Sequence, residues 1–214
     1  MSKRKISFDF REYYHIYNRG NSKQTIFHDK QDYERFIALL YSVNTKQNIV
    51  LRLFTDEVFK FDREELLVNI GAYCLMPNHF HILLTPTENG DLSKFMQKLT
   101  TAYSMYYNSK YQRTGSLFEG KFKSEYANTD RYLKYLFSYI HLNPIKLINS
   151  KWKEKGIKNK TLDFLNDYTY SSFLDYLGDE RLEKSILNKE AFPDYFPTKK
   201  LLQKEIFEWM SYND

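Results

Sequence analysis

A single cysteine, Cys74, occurs in the chain, so no internal disulfide can form and no multi-cysteine zinc site can be built. A reducing cytoplasm is the expected home. Glycine and proline are scarce, seven and five among 214 residues, and neither clusters into a flexible linker, a low-complexity tract or a repeat. No run of about 18 apolar residues appears, and the basic start MSKRKISFDF is not followed by the apolar stretch that a signal peptide needs. A soluble protein with no membrane partner is expected, of a size for one compact core and too short for a multidomain machine. What the chain does have is a basic balance, a formal charge of +5 with pI near 9.0, and 18% aromatic residues, including 19 Tyr and 17 Phe. Cations beside aromatic rings suit phosphate binding and base stacking.

Residue patterns give an order of elements. Tyr13 to Arg19 (YYHIYNR) reads as a strand closed by Gly20 and Asn21. Between Asp29 and Lys46, apolar residues at Phe36, Ile37, Leu39, Leu40 and Val43 follow helical spacing. Residues 49–69 are ambiguous, with short strands around Leu51, Leu53 and Val58 and a helical turn over Asp62 to Leu67 both in play. Gly71 to Met76 and His79 to Thr85, separated by Pro77 and Asn78, form a β-hairpin pattern. Asp91 or Ser93 caps a helix running to about Ser109, and Phe122 to Ala127 is a further strand. A helix capped within Asn128 to Asp130 continues through Leu142 and is stopped by Pro144. The first six elements have the order of a ferredoxin-like α+β unit, an antiparallel sheet with helices on one face. The helix at 130–142 is surplus to that plan.

Two groups of residues carry candidate chemistry. His79 and His81 alternate with Phe80 on a strand, so both imidazoles share one face at a backbone separation of about 6.5–7 Å. That spacing permits chelation of one divalent ion and equally fits two hydrogen-bonded histidines on a sheet surface; His15 and His141 have no partner at such a spacing. In the surplus helix, Tyr132, Tyr135 and Tyr139 share a face beside an apolar stripe of Leu133, Leu136, Phe137 and Ile140, with Asn143 one turn beyond Tyr139. A phenol is a weak nucleophile unless a cation lowers its pKa or a base takes its proton; an aromatic stripe packed under the sheet is the plain alternative. Six cations against three acids between Asp91 and Glu125, among many rings, and six lysines against Glu154 between Lys146 and Lys160, around Trp152, describe either a phosphate-tracking groove or ordinary solvated charge.

Five blocks taken together, YHIYNRGN (Tyr14 to Asn21), YCLMPNHFHILL (Tyr73 to Leu84), RTGSLFEGKFKS (Arg113 to Ser124), YLKYLFSYIHLNPIK (Tyr132 to Lys146) and YTYSSFLDYLG (Tyr168 to Gly178), resemble the single-tyrosine HUH transposases, and within them the REP-associated tyrosine transposases. The resemblance implies a catalytic domain over 1–148, with the surplus helix delivering its tyrosine to the open face of the sheet. Residues 149–214 are then a basic and aromatic extension packed on the same unit, with a helix from about Lys199 to Met210 docking by Leu201, Leu202, Ile206 and Trp209. It implies Tyr139 as nucleophile, His79 and His81 as ligands of Mg2+ or Mn2+ with Asn143 as a third metal-facing side chain, and Arg19, Lys98, Arg113, Lys121, Lys123 and Lys146 as DNA-binding candidates. The implied activity is nicking and rejoining of single-stranded DNA next to a hairpin, through a 5′-phosphotyrosine, with no nucleotide cofactor and a monomer favoured over a homodimer. The competing readings are a host-adopted hairpin-binding protein that does not cut and an RNA-binding module.

Overall fold

The structure is a computed structural model that describes residues 7–47, 56–88, 90–149 and 160–211. The MSKRK start, most of the ambiguous stretch before residue 56 and the lysines at 151–158 around Trp152 lie outside the described residues. Four strands, β1 (Tyr14–Arg19), β2 (Val68–Met76), β3 (His79–Pro86) and β4 (Lys123–Tyr126), form one sheet in the order β2-β3-β1-β4, every neighbouring pair antiparallel. This is the ferredoxin-like strand order expected from the sequence, and it places the first strand in the interior of the sheet.

Strand alternation divides the two faces. Ile16 of β1 and Phe80, Ile82 and Leu84 of β3 point to one side, where α1 (Lys30–Ser42) and α2 (Leu92–Lys110) cover them with Phe36, Leu39, Leu40, Phe95, Leu99 and Tyr103. Asp29 caps α1 by accepting from the Asp32 amide at 3.1 Å, and Asp91 caps α2 by accepting from the Lys94 amide at 2.9 Å; Ser93 is already inside the helix. The opposite face carries Ala72, Cys74, Met76 and Leu83, and α3 (Asp130–Leu142) lays its stripe of Leu133, Leu136, Phe137 and Ile140 on them. Thr129 caps α3, its hydroxyl accepting from the Tyr132 amide at 3.2 Å. At Pro144 the chain leaves α3 through a 3-10 turn, Asn143–Leu147.

β2 starts at Val68, earlier than the sequence pattern indicates, and 62–67 forms no helical turn. The Asn44 side chain explains this: its amide oxygen accepts from the backbone of Leu67 and Val68 and its nitrogen donates to the Val68 carbonyl, drawing that segment into line with Pro86 of β3. At Gly71 the β2–β3 register shifts, and a Cβ there would lie 2.8 Å from the ring of Phe192, so glycine admits that ring against the strand.

The last third of the described chain is fastened to the outer edge of β2. Tyr170 and Ser172 exchange backbone hydrogen bonds with Leu75 and Tyr73, ahead of a short helix, α5 (Phe173–Leu177), itself preceded by α4 (Lys160–Asp167). Arg181 donates to Asp175 at 2.7 Å, to the Ser171 carbonyl at 2.8 Å and to the Tyr73 hydroxyl at 3.0 Å. The helix foreseen near the end is present as α6 (Lys199–Ser211), docked by Leu202 and Ile206 against Leu142, Ile145 and Phe173. Leu201 does not dock: it is 46% exposed, because adjacent helical residues point about 100° apart and 202 and 206 define the buried line. The side chain of Trp209 lies outside the described residues. No helix among the described residues is long and apolar enough to cross a membrane.

Candidate active site

On β3 the alternation puts Phe80 into the α1/α2 core, fully buried, and His79 and His81 on the α3 side. Their rings lie 5.0 Å apart between centroids and nearly perpendicular, at 88°. β1 runs alongside with Tyr17 opposite His81 and Arg19 opposite His79. α3 crosses this same face, and the Tyr139 ring meets His81 edge-on at 5.6 Å and His15 at 5.8 Å. Asn143 and Lys146 follow one and two turns later. The Asn143 amide nitrogen donates to the Tyr139 carbonyl at 2.9 Å, its oxygen accepts from the Lys146 ammonium at 2.8 Å, and that ammonium sits 5.1 Å from the centre of the Tyr139 ring. Two imidazoles, a phenol, an amide and an ammonium thus converge from β3, α3 and the turn after it.

The electrostatics keep both imidazoles neutral at pH 7. Burial, with Lys146 and Arg19 adding repulsion, lowers His79 to about 4, and burial beside His15, His79 and Lys146 holds His81 well below the ordinary histidine value. Neutral rings offer lone pairs. His79 Nδ1 donates to the Asn78 amide oxygen at 2.7 Å, which leaves Nε2 as the ring nitrogen with the lone pair, and His81 Nε2 is buried with no hydrogen-bond partner. An orphaned nitrogen of this kind fits a ligand to a metal ion. Among the described residues no group of three His, Cys, Asp or Glu side chains is arranged to hold a metal, so two ring nitrogens are what those side-chain types offer here. Burial raises the Tyr139 pKa, opposed by a side-chain hydrogen bond from Asn143.

Of the other DNA-binding candidates, Lys146 alone stands among these groups. Arg19 is on the same face and is ion-paired with Glu119. Lys123 is exposed on β4, Arg113 donates to the Ser116 carbonyl at 3.3 Å near the Tyr107 ring, and Lys121 lines a groove beside α2. Lys98 is elsewhere: its ammonium donates to the carbonyls of Thr45 and Gln47 at 2.6 and 2.7 Å, on the α1/α2 side of the sheet. His141 is also apart, buried and bonded to the Ser172 hydroxyl at 2.8 Å. Sequence spacing gave no pairing for His15, yet its Nε2 lies 2.8 Å from His81 Nδ1. Glu125 was counted only as a negative charge, yet it accepts from the hydroxyls of Tyr17 and Tyr132, both at 2.9 Å, with an oxygen 3.7 Å from His15 Nδ1.

A family profile described as "Transposase IS200 like" matches residues 9–143, which span all four strands, α1 to α3 and every group at the centre of this face except Lys146. The chain belongs to the IS200-like transposase family. Among solved structures, this family member is similar in fold to a REP-associated tyrosine transposase bound to a REP hairpin, with a TM-score of 0.53 and 13% identity, over 86% of this chain and 90% of that one. A candidate transposase from Deinococcus radiodurans R1 aligns at 14% identity and a TM-score of 0.37, over 65% of this transposase and 95% of that chain. No curated protein matches.

Proposed function

We propose that this transposase cuts and rejoins single-stranded DNA next to a hairpin, with Tyr139 as the nucleophile and His79 and His81 as the protein ligands of Mg2+ or Mn2+. The observation that carries the reading is the meeting of Tyr139 with His81 at 5.6 Å on the α3 face of the sheet. His79 and His81 would hold a divalent ion through one ring nitrogen each, and the ion would supply positive charge to offset the negative charge of the scissile phosphate. The phenolic oxygen of Tyr139 forms a bond to phosphorus and the bond from phosphorus to the 3′ oxygen breaks. The phenol gives up its proton and the departing 3′ oxygen takes one up, so the step is isoelectronic and needs no nucleotide. A second 3′-hydroxyl can run the step backwards and join a new strand. Asn143 holds the carbonyl of Tyr139 and the Lys146 ammonium, and its oxygen, with a second lone pair beside the one that accepts from Lys146, would be the third metal donor. Arg19, Lys121, Lys123 and Lys146 supply cations for the backbone of an unpaired strand, whose exposed bases can stack on neighbouring rings. The similarity of fold to a protein bound to a REP hairpin supports a hairpin as the partner.

The test is to incubate the protein with end-labelled hairpin DNA carrying a single-stranded flank and Mn2+, then separate products under denaturing conditions. A protein–DNA adduct that is absent in Tyr139→Phe and in metal-free buffer is expected. Hairpin binding with no adduct would identify a non-cutting binding protein, and preference for the RNA version would identify an RNA-binding module.

A further inference from the structure

The pairing of His15 with His81, and the carboxylate behind it, does more than fill space. His15 and His81 are 3% and 6% exposed, and their rings stack at 5.0 Å with Nε2 of His15 and Nδ1 of His81 at 2.8 Å. One proton lies between these two nitrogens, and two arrangements are open. In the first, His15 donates from Nε2. Its Nδ1 then turns a lone pair toward Glu125, and His81 must carry its proton on Nε2, a buried donor with no acceptor. Both consequences are unfavourable. In the second, His81 donates from Nδ1 to His15 Nε2. His15 then carries its proton on Nδ1, a buried donor without a hydrogen bond but only 3.7 Å from the negative charge of Glu125, and His81 Nε2 is left with a lone pair and no proton to satisfy.

We infer that Glu125 and His15 are positioning residues that fix His81 with its proton on Nδ1 and its Nε2 lone pair free for a divalent cation. A distance of 3.7 Å is longer than a hydrogen bond, so Glu125 acts on His15 by charge. Glu125 is itself held from two sides, by the Tyr17 hydroxyl of β1 and the Tyr132 hydroxyl of α3. The carboxylate on β4 therefore links the helix that carries Tyr139 to the tautomer of a histidine on β3. Partners behind a metal-binding imidazole fix its tautomer and orientation, and losing them typically costs about 10- to 100-fold in metal affinity or activity. The inference rests on the reading of His81 as a metal ligand given above.

The experiment uses the full chain labelled with 15N-histidine. Long-range 1H–15N correlation spectra of the metal-free protein report which nitrogen of His81 carries the proton, and Mn2+ titration followed by electron paramagnetic resonance reports affinity. The wild type is expected to show a protonated Nδ1 and a bare Nε2 at His81. Glu125→Leu and His15→Leu are each expected to mix the tautomers and weaken Mn2+ binding by about 10- to 100-fold. His15→Gln, whose amide offers an acceptor to His81 and a donor to Glu125 on separate atoms, is expected to recover most of that affinity. A protonated Nε2 on His81 in the wild type overturns the inference, as does unchanged Mn2+ affinity in Glu125→Leu. A wild type that neither binds Mn2+ nor forms a DNA adduct overturns the metal reading itself, while altered Mn2+ affinity in the variants without a DNA adduct in the wild type leaves the positioning role standing and removes only the cutting reaction.

Discussion

Asp32 shows how much one side chain can hold. Its carboxylate is fully buried and accepts from the Lys110 ammonium at 2.8 Å, from the Tyr106 and Tyr111 hydroxyls at 2.9 and 2.7 Å, and from the His28 amide at 2.8 Å, so the start of α1 is tied to the end of α2. Burial works to raise its pKa, but Lys110 and the other donors outweigh it and leave the value below the ordinary carboxylate range. A carboxyl lowered on folding adds stability above its unfolded pKa and loses it as pH falls through the folded one. Asp32→Asn keeps the shape and leaves Lys110 its second carboxylate, Asp29, at 2.8 Å, and is expected to cost about 1–3 kcal/mol at pH 7, read from urea midpoints, with the difference from wild type shrinking at the acid end. Cys74 is the opposite case: fully buried, its thiol pushed well up by burial. Native protein is expected to resist iodoacetamide at pH 8 and to react once unfolded.

At the scale of elements, α3 depends on a good fit to the sheet. Phe192 packs on Phe137 of α3 at 5.8 Å and on Tyr13 at 5.2 Å while pressed over Gly71. Gly71→Ala drives a methyl group into that ring, and is expected to cost about 1–3 kcal/mol and to speed proteolysis of the segment after residue 187. Much of this level could be read from the sequence. The His79-Phe80-His81 alternation, the Pro77-Asn78 turn and the stripe of α3 are local periodicities, and each gives its element to within a residue or two. The pairing of His15 with His81 could not be read, because it follows from the register of β1 against β3, strands separated by α1, by β2 and by the residues between them. Lys98 was misleading for a related reason: a basic residue in a basic, aromatic segment looks like a phosphate contact until the loop after α1 supplies two carbonyls for it.

Across the whole molecule, the C-terminal third is fastened by Arg181, which pairs with the buried Asp175 and reaches Tyr73 of β2. Arg181→Met leaves that carboxylate without its cation and is expected to cost about 3–5 kcal/mol by thermal or chemical denaturation. Sequence pattern marked the block Tyr168 to Gly178 as part of the resemblance but gave no hint that it lines the edge of β2, since a stretch so short has no period of its own. Histidines set a further property of the whole. His15, His81 and His141 are buried and neutral, with burial lowering His15 to about 4, His141 to about 3, and His81 well below the ordinary value. Below about pH 6.5 the unfolded chain binds protons on these rings and the folded one does not, so stability is expected to fall toward pH 4 by up to about 1.4 kcal/mol per pH unit for each ring. Urea midpoints at pH 7.5, 6 and 5 check the slope.

The interior place of β1 governs how the protein comes into being. A ribosome delivers that strand first, yet both of its neighbours arrive later, β3 after the first helix and β4 after the second. The nascent chain must hold an unpaired, aromatic-rich ribbon until β3 has emerged, and its other edge stays open until β4 follows. A partial translation product that ends ahead of α3 therefore lacks the face on which Tyr139 meets His81.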